Sequence, residues 1–270
     1  MKLTDTKIIV SGSTIEVYRY LDRKLSYNFI VVQSINKHAY DFPEWLIEER
    51  KLKSREDSMR RARSYLRRLI NANAYKWDRS NGTYCTPKFV TLTFKKNIQD
   101  VVIANGIFSK FIKRLNYYES NGNKESFLKY VVVTEFQKRG AIHYHTIFFN
   151  LEYIWGDTLE SIWGNGMVDI KKVDSISNTG SHVRKYMSKE FGDDRLNGKK
   201  RYFSSRELIK PAVIRQELMA NKILYKIPKE YLKKDKIYED VSNNRIQYLC
   251  FQIDKRSSFT DIVPELKEFL

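Results

Sequence analysis

The chain has 270 residues and carries 49 Lys and Arg against 32 Asp and Glu, a formal net charge of +17. With 42% hydrophobic and 14% aromatic residues it can build a packed core, which excludes a disordered chain. No apolar run approaches the ~18 residues of a membrane-spanning helix, and the N-terminal residues lack the pattern of a secretion signal. The two cysteines, Cys85 and Cys250, are too few for a disulfide framework and indicate a reducing cytoplasm. The positive charge indicates a polyanionic partner, most simply nucleic acid.

Most of the positive charge lies in two segments. Residues 50–79 hold 11 Lys and Arg against 3 acidic residues, and residues 199–235 hold 11 against 4. The more balanced stretch between them, 86–192, contains the strongest strand signals. The sequence therefore predicts three parts: an N-terminal extension with a basic helix (1–85), a core (86–192) and a basic C-terminal extension (193–270).

A basic helix is predicted in the N-terminal extension, beginning near Ser54, which can cap it. Apolar residues recur at helical spacing on one face, namely Met59, Ala62, Leu66, Leu69 and Ile70. Arginines occupy the other faces, namely Arg60, Arg61, Arg63, Arg67 and Arg68. Two interpretations stay open: a helix packed on the core with a solvated basic side, or a helix that binds phosphates through bidentate guanidinium groups.

Strands and helices succeed one another in the core. Strands are predicted at 88–94, 130–136, 141–150 and 166–171, and helices at 101–118 and 179–191. The short polar connection at 137–140 makes the second and third strands a hairpin. This order predicts an α+β fold with a central, largely antiparallel sheet flanked by helices.

Three side chains of the predicted hairpin suggest metal chemistry. His143 and His145 stand two apart on a strand and therefore point to the same face. Glu135 is costly to bury unpaired, and the hairpin sets it within reach of His143. Two imidazoles and one carboxylate leave open positions on a divalent ion, as in catalytic sites. Mixed nitrogen and oxygen ligands suit Mn²⁺ or Mg²⁺ and would also bind Zn²⁺ or Co²⁺. The alternative is a pair of ordinary strand histidines.

The predicted helix at 179–191 carries two further candidates. Tyr186 and Lys189 are spaced i, i+3 and share one face of that helix. Tyrosine can act as a covalent nucleophile and lysine can support a phosphate. Both residue types are common in this chain, so on their own the two residues are more often structural.

Three motifs in this order resemble the HUH endonucleases, specifically the one-tyrosine rolling-circle replication initiator (Rep) proteins of plasmids and phages. The first is the FVTLTF strand at 89–94. The second is RGAIHYH at 139–145, with Glu135 eight residues before its first histidine. The third is the Tyr-x-x-Lys pair on the predicted helix, and residues 201–211 are similar to a segment that follows the nuclease core in Reps of Gram-positive plasmids.

The resemblance implies an HUH nuclease core of ferredoxin-like or RRM-like fold, with basic helical N- and C-terminal extensions. It implies that Glu135, His143 and His145 bind Mn²⁺ or Mg²⁺, and that the catalytic residues are Tyr186 and Lys189. The implied activity is site-specific nicking and joining of single-stranded DNA at a replication origin through a 5′-phosphotyrosine intermediate.

The expected DNA partner is origin DNA, as a single strand or hairpin with flanking duplex. Candidate DNA-binding side chains are Arg60, Arg63, Arg67, Arg139, Lys199, Lys200, Arg201 and Arg206. Because the sequence contains no G-x-x-x-x-G-K-[ST] motif, we expect a host helicase and polymerase as partners and no membrane partner. The expected location is the cytoplasm of a bacterial cell that carries the replicon.

Two other functions fit part of the sequence. A one-tyrosine HUH transposase would act on element ends rather than on an origin. A non-catalytic nucleic-acid-binding module would use the basic and aromatic residues for binding, since an RRM-like sheet can stack bases. Such a module does not require the set of Glu135, His143, His145 and Tyr186, and it would leave no covalent complex with DNA.

Overall fold

A computed structural model describes residues 5–22, 44–77, 85–122, 126–173, 193–196, 199–239, 244–254 and 257–269, with the backbone alone for 44–51. Its strands are β1 (Asp5–Ser11), β2 (Thr14–Tyr20), β3 (Lys88–Thr93), β4 (Tyr130–Phe136), β5 (Ile142–Phe148), β6 (Val168–Lys172), β7 (Tyr202–Ser204), β8 (Ala212–Ile214), β9 (Leu232–Glu239) and β10 (Arg245–Gln252). Its helices are α1 (Glu44–Asn73), α2 (Val101–Glu119), α3 (Gly156–Trp163), α4 (Glu217–Lys226) and α5 (Phe259–Ile262).

The chain forms two compact units. The central unit comprises Tyr65–Lys210, and the terminal unit comprises Met1–Ser64 together with Pro211–Leu270. The limits of the central unit lie outside 86–192 at both ends. The assignment of separate roles to 1–85, 86–192 and 193–270 stays a prediction.

The central unit contains a five-stranded antiparallel sheet in the order β6-β3-β5-β4-β7, which confirms the predicted α+β class. The four strands predicted in the core correspond to β3, β4, β5 and β6. The fifth strand, β7, pairs with β4 through Tyr202 and Val133 and comes from the predicted C-terminal extension.

One face of the central sheet forms the main core. Apolar side chains of β3, β4 and β5 pack there against α2 and α3, with Phe94, Phe108, Phe111, Tyr144 and Trp163 among the most buried. Their rings meet edge to face at centroid distances of 5.0 Å (Phe94–Trp163) and 5.3 Å (Phe108–Tyr144). Alternate residues of the same strands therefore point to the other face, where the histidines lie.

The terminal unit contains a second antiparallel sheet of five strands, in the order β8-β1-β2-β10-β9. It joins the two ends of the chain: Val17 on β2 lies opposite Leu249 on β10. One face of this sheet packs on α4, with Ala220 and Ile223 in its apolar cluster. The hydrophobic patterning does not predict this sheet, so the terminal segments contain strands as well as helices.

Helix α1 is longer than predicted. It begins at Glu44, so Ser54 lies inside the helix and the expectation that Ser54 caps it is wrong. The residues before Ser54 are mostly good helix formers, and their propensity extends the helix past the local cap signal. The predicted apolar face is confirmed where Leu66, Leu69 and Ile70 are buried. Among the described helices, none is both long and apolar enough to cross a membrane.

Replacing Gly166 by Ala should destabilise the central unit by about 2–3 kcal/mol, because a Cβ there has no room. The added carbon would overlap the carbonyl oxygen of Thr93 and lie 2.6 Å from the backbone nitrogen of Lys95, at a residue whose φ is +148°. Thermal unfolding measures the effect. Gly106→Ala is the control, because nothing lies within 4 Å of its Cβ and alanine favours a helix. An equal stability of the two variants would contradict this prediction.

Candidate metal centre

Strand register places the three predicted ligands on one face of the central sheet. Glu135 on β4 lies directly opposite His143 on β5. On the other side of β5, Thr93 lies opposite His143 and Thr91 opposite His145. Since directly paired residues share a face, these five polar side chains form one patch across β3, β5 and β4.

The ligand atoms of Glu135, His143 and His145 lie within 4.8 Å of one another. A Glu135 carboxylate oxygen contacts Nε2 of His145. The imidazole rings of the two histidines stand nearly perpendicular, at 86°, with centroids 6.2 Å apart. His145 is buried, whereas the Glu135 side chain is 22% exposed, so the centre can be reached from solvent. No other described residues form such a group of three His, Cys, Asp or Glu.

His143 shows that the three residues fit a divalent ion. Its Nε2 is buried and has no hydrogen-bond partner among the described residues. Burial lowers the pKa of His143, the His145 and Arg139 charges lower it further, and Glu135 opposes them. The imidazole therefore stays neutral near pH 7, which is the form that binds metals. A buried, neutral imidazole nitrogen beside a carboxylate is the environment that a divalent cation satisfies.

Two residues hold His145 in place. The Thr91 hydroxyl lies 3.3 Å from Nδ1 of His145, and the Phe89 ring stacks on the imidazole at a centroid distance of 5.6 Å and an angle of 14°. A hydrogen bond at Nδ1 fixes the tautomer and leaves Nε2 for a ligand. Sequence reasoning noted that Thr91 and Thr93 share a face but favoured a mainly structural role. The signal for Thr91 was its place on the strand beside His145.

Tyr144, between the two histidines, belongs to the opposite face. It is fully buried in the core, and its hydroxyl donates a hydrogen bond to Oδ1 of Asn105 at 2.6 Å. Burial raises the pKa of Tyr144. Although Tyr144 is adjacent in sequence to both histidines, strand alternation removes it from the metal centre, so it is not a candidate nucleophile there.

The predicted catalytic residues Tyr186 and Lys189 lie outside the described residues. Arg139 lies in the turn between β4 and β5 and is exposed, and its guanidinium donates to the Phe94 carbonyl at 2.5 Å and to the Gln137 side chain at 2.9 Å. It is the candidate DNA-binding residue nearest in sequence to His143.

The other candidate DNA-binding residues lie on α1 or between residues 199 and 206. Arg60 forms an ion pair with Asp57 at 3.3 Å and remains exposed. Lys199, Lys200 and Arg206 are exposed, and Arg201 donates to the Asp193 carbonyl at 3.2 Å. Arg63 and Arg67 are half-buried on α1. Their role in binding DNA stays a prediction.

Replacing Thr91 by Val should weaken binding of Mn²⁺ about tenfold, because His145 loses the hydroxyl beside Nδ1 while the side-chain volume is nearly kept. Isothermal titration with Mn²⁺ measures the change. Thr93→Val is the matched control on the same strand face, since its hydroxyl has no hydrogen bond to either histidine among the described residues. Equal affinities of the two variants would assign Thr91 a purely structural role.

Together, the fold and the site define an α+β protein with a cluster suited to a divalent metal. Residues 87–191 match the family model of the replication-associated protein ORF2. This segment includes Glu135, His143 and His145, and the match supports a replication-associated role. No curated protein and no solved structure matches the chain.

Proposed function

We propose that this protein is a rolling-circle replication initiator that nicks and rejoins one DNA strand at an origin, with a divalent metal, Mn²⁺ or Mg²⁺, in the centre formed by Glu135, His143 and His145. The observation that carries the proposal is the convergence of these three side chains within the segment that matches the replication-associated family. The buried, unpartnered Nε2 of His143 supports the metal.

In the proposed reaction, Tyr186 is the nucleophile. Its phenol oxygen loses its proton and attacks the phosphorus of the scissile phosphate, and the 3′ oxygen of the preceding nucleotide leaves as a 3′-hydroxyl. One phosphodiester bond is replaced by a 5′-phosphotyrosine bond, so no nucleotide hydrolysis is needed and the reverse attack reseals a strand. When bound, a divalent ion would stabilise the charge that builds on the phosphate oxygens.

The residues of the metal centre have separate tasks in this proposal. Neutral His143 and His145 supply nitrogen ligands, and Glu135 supplies charge that balances the cation. Thr91 keeps His145 in the tautomer that leaves Nε2 available. Lys189 positions the phosphate. The free 3′-hydroxyl can then be extended by a host polymerase.

The experiment combines metal dependence with covalent trapping. The full chain is incubated with Mn²⁺ and labelled single-stranded oligonucleotides that cover its replicon, and the products are separated on a denaturing gel. We expect a protein–DNA band that survives denaturation and disappears in EDTA. Binding without any covalent band would instead indicate a non-catalytic nucleic-acid-binding module, and cleavage at element ends alone would indicate a transposase.

A further inference from the structure

The terminal sheet carries a basic and aromatic row on the face opposite α4. The register pairs Lys7 on β1 with Tyr18 on β2, Tyr18 with Tyr248 on β10, and Tyr248 with Lys236 on β9. The four side chains therefore lie side by side across four strands, with two tyrosines in the middle and a lysine at each end. The apolar cluster that packs on α4 uses the other face, through Ile8, Val17 and Leu249.

The two tyrosine rings form a fixed pair. Their centroids are 5.2 Å apart, and the Lys7 ammonium lies 5.7 Å from the centroid of Tyr18. Both hydroxyls donate to Oε1 of Glu16, from Tyr248 at 2.9 Å and from Tyr18 at 3.4 Å. Glu16 is 1% exposed, so its carboxylate is held beneath the row while the rings of Tyr18 and Tyr248 remain partly exposed.

Strand alternation gives this face its charge. On β9, Lys234 lies opposite Cys250 and Lys236 opposite Tyr248, on the tyrosine face. The acidic residues Asp235 and Glu239 alternate onto the other face. Both lysines are exposed. This edge strand thus presents lysines, and none of its own carboxylates, beside the tyrosine pair.

We propose that this face, the Lys7–Tyr18–Tyr248–Lys236 row, is a second nucleic-acid site that binds a single strand. Partly exposed rings on a sheet stack bases without sequence preference, and lysines at the ends of the row contact phosphates. The pairing of charge with flat aromatic surface favours a single strand, because the bases of a duplex are stacked on each other and unavailable. The site is separate from the metal centre and does not depend on nicking.

Binding is measured by fluorescence anisotropy on the full chain in EDTA, so that cleavage does not contribute. The probes are single-stranded DNA, single-stranded RNA and duplex DNA of one sequence. The Lys7→Ala/Lys236→Ala double variant should bind single strands about fivefold to tenfold more weakly, and its salt slope should fall by about 1.4, or about 0.7 per lost contact. The two single-stranded probes distinguish DNA from RNA as the occupant.

The control removes a lysine from the other side of the same sheet. Lys222 on α4 is exposed and pairs with Glu265 at 3.5 Å, and Lys222→Ala should change affinity less than about twofold. Equal salt slopes in this control and in the double variant would overturn the proposal, as would preferential loss of duplex binding.

Photo-cross-linking tests the rings directly. A single strand containing 5-iododeoxyuridine should cross-link to peptides that contain Tyr18 or Tyr248, as mapped by mass spectrometry. Tyr248→Phe keeps the ring and should bind as the wild type does, whereas Tyr248→Leu should bind at least about fivefold more weakly. Cross-links confined to other peptides would overturn the proposal, and this result stands even if Tyr248→Leu fails to fold.

Discussion

Tyr186→Phe should abolish the covalent protein–DNA complex and leave DNA binding within about twofold of wild type. Phenylalanine keeps the ring but lacks the oxygen that becomes phosphorylated, so cleavage should fall by at least about 10³-fold. The denaturing gel measures the complex, and anisotropy measures binding. No other described feature of the central unit offers a replacement: Tyr144, the tyrosine nearest in sequence to the metal ligands, is buried on the opposite sheet face.

The matched control for this variant is Tyr225→Phe. Tyr225 lies on α4 and is 89% exposed, so it loses the same hydroxyl without touching the central unit. We expect wild-type amounts of the complex from it. A complex that persisted in Tyr186→Phe would overturn the assignment of the nucleophile, and mapping the attached peptide would then identify the residue that replaces it.

His143→Ala should remove metal-dependent cleavage and at least about 10²-fold of the affinity for Mn²⁺, because one of three ligands is lost. The metal-free protein should keep its stability, since the substitution removes a buried nitrogen that has no hydrogen-bond partner among the described residues. His145→Ala should also lose the metal but should lower the free energy of unfolding, by about 1–2 kcal/mol, because the stacking on Phe89 and the hydrogen bond to Thr91 disappear.

Thermal unfolding with and without Mn²⁺ separates these effects. Wild type should gain about 2.7 kcal/mol at a metal concentration about 100 times the dissociation constant, and both histidine variants should lose that gain. Glu135→Gln should behave as they do, whereas Glu152→Gln, an exposed carboxylate, should keep it. A metal-induced shift that survives in His143→Ala would show that the ion binds elsewhere.

The sequence alone predicts much of the metal centre, because its geometry is local. The His-x-His spacing on one strand sets both imidazoles on one face. The short turn at 137–140, with Gly140 at a φ of +87°, fixes the hairpin register that brings Glu135 opposite His143. Both facts depend on residues fewer than a dozen positions apart, and periodicity and turn residues encode such distances directly.

What only the tertiary structure decides depends on residues distant in sequence. The support of His145 by Phe89 and Thr91 requires the pairing of β3 with β5. The terminal sheet requires β2 and β10, from opposite ends of the chain, to lie side by side. Residues 232–239 contain three lysines and indicate a charged arm when seen alone. They become an edge strand only because β10 supplies the backbone partner, and long-range pairing of that kind leaves no periodic mark in the sequence.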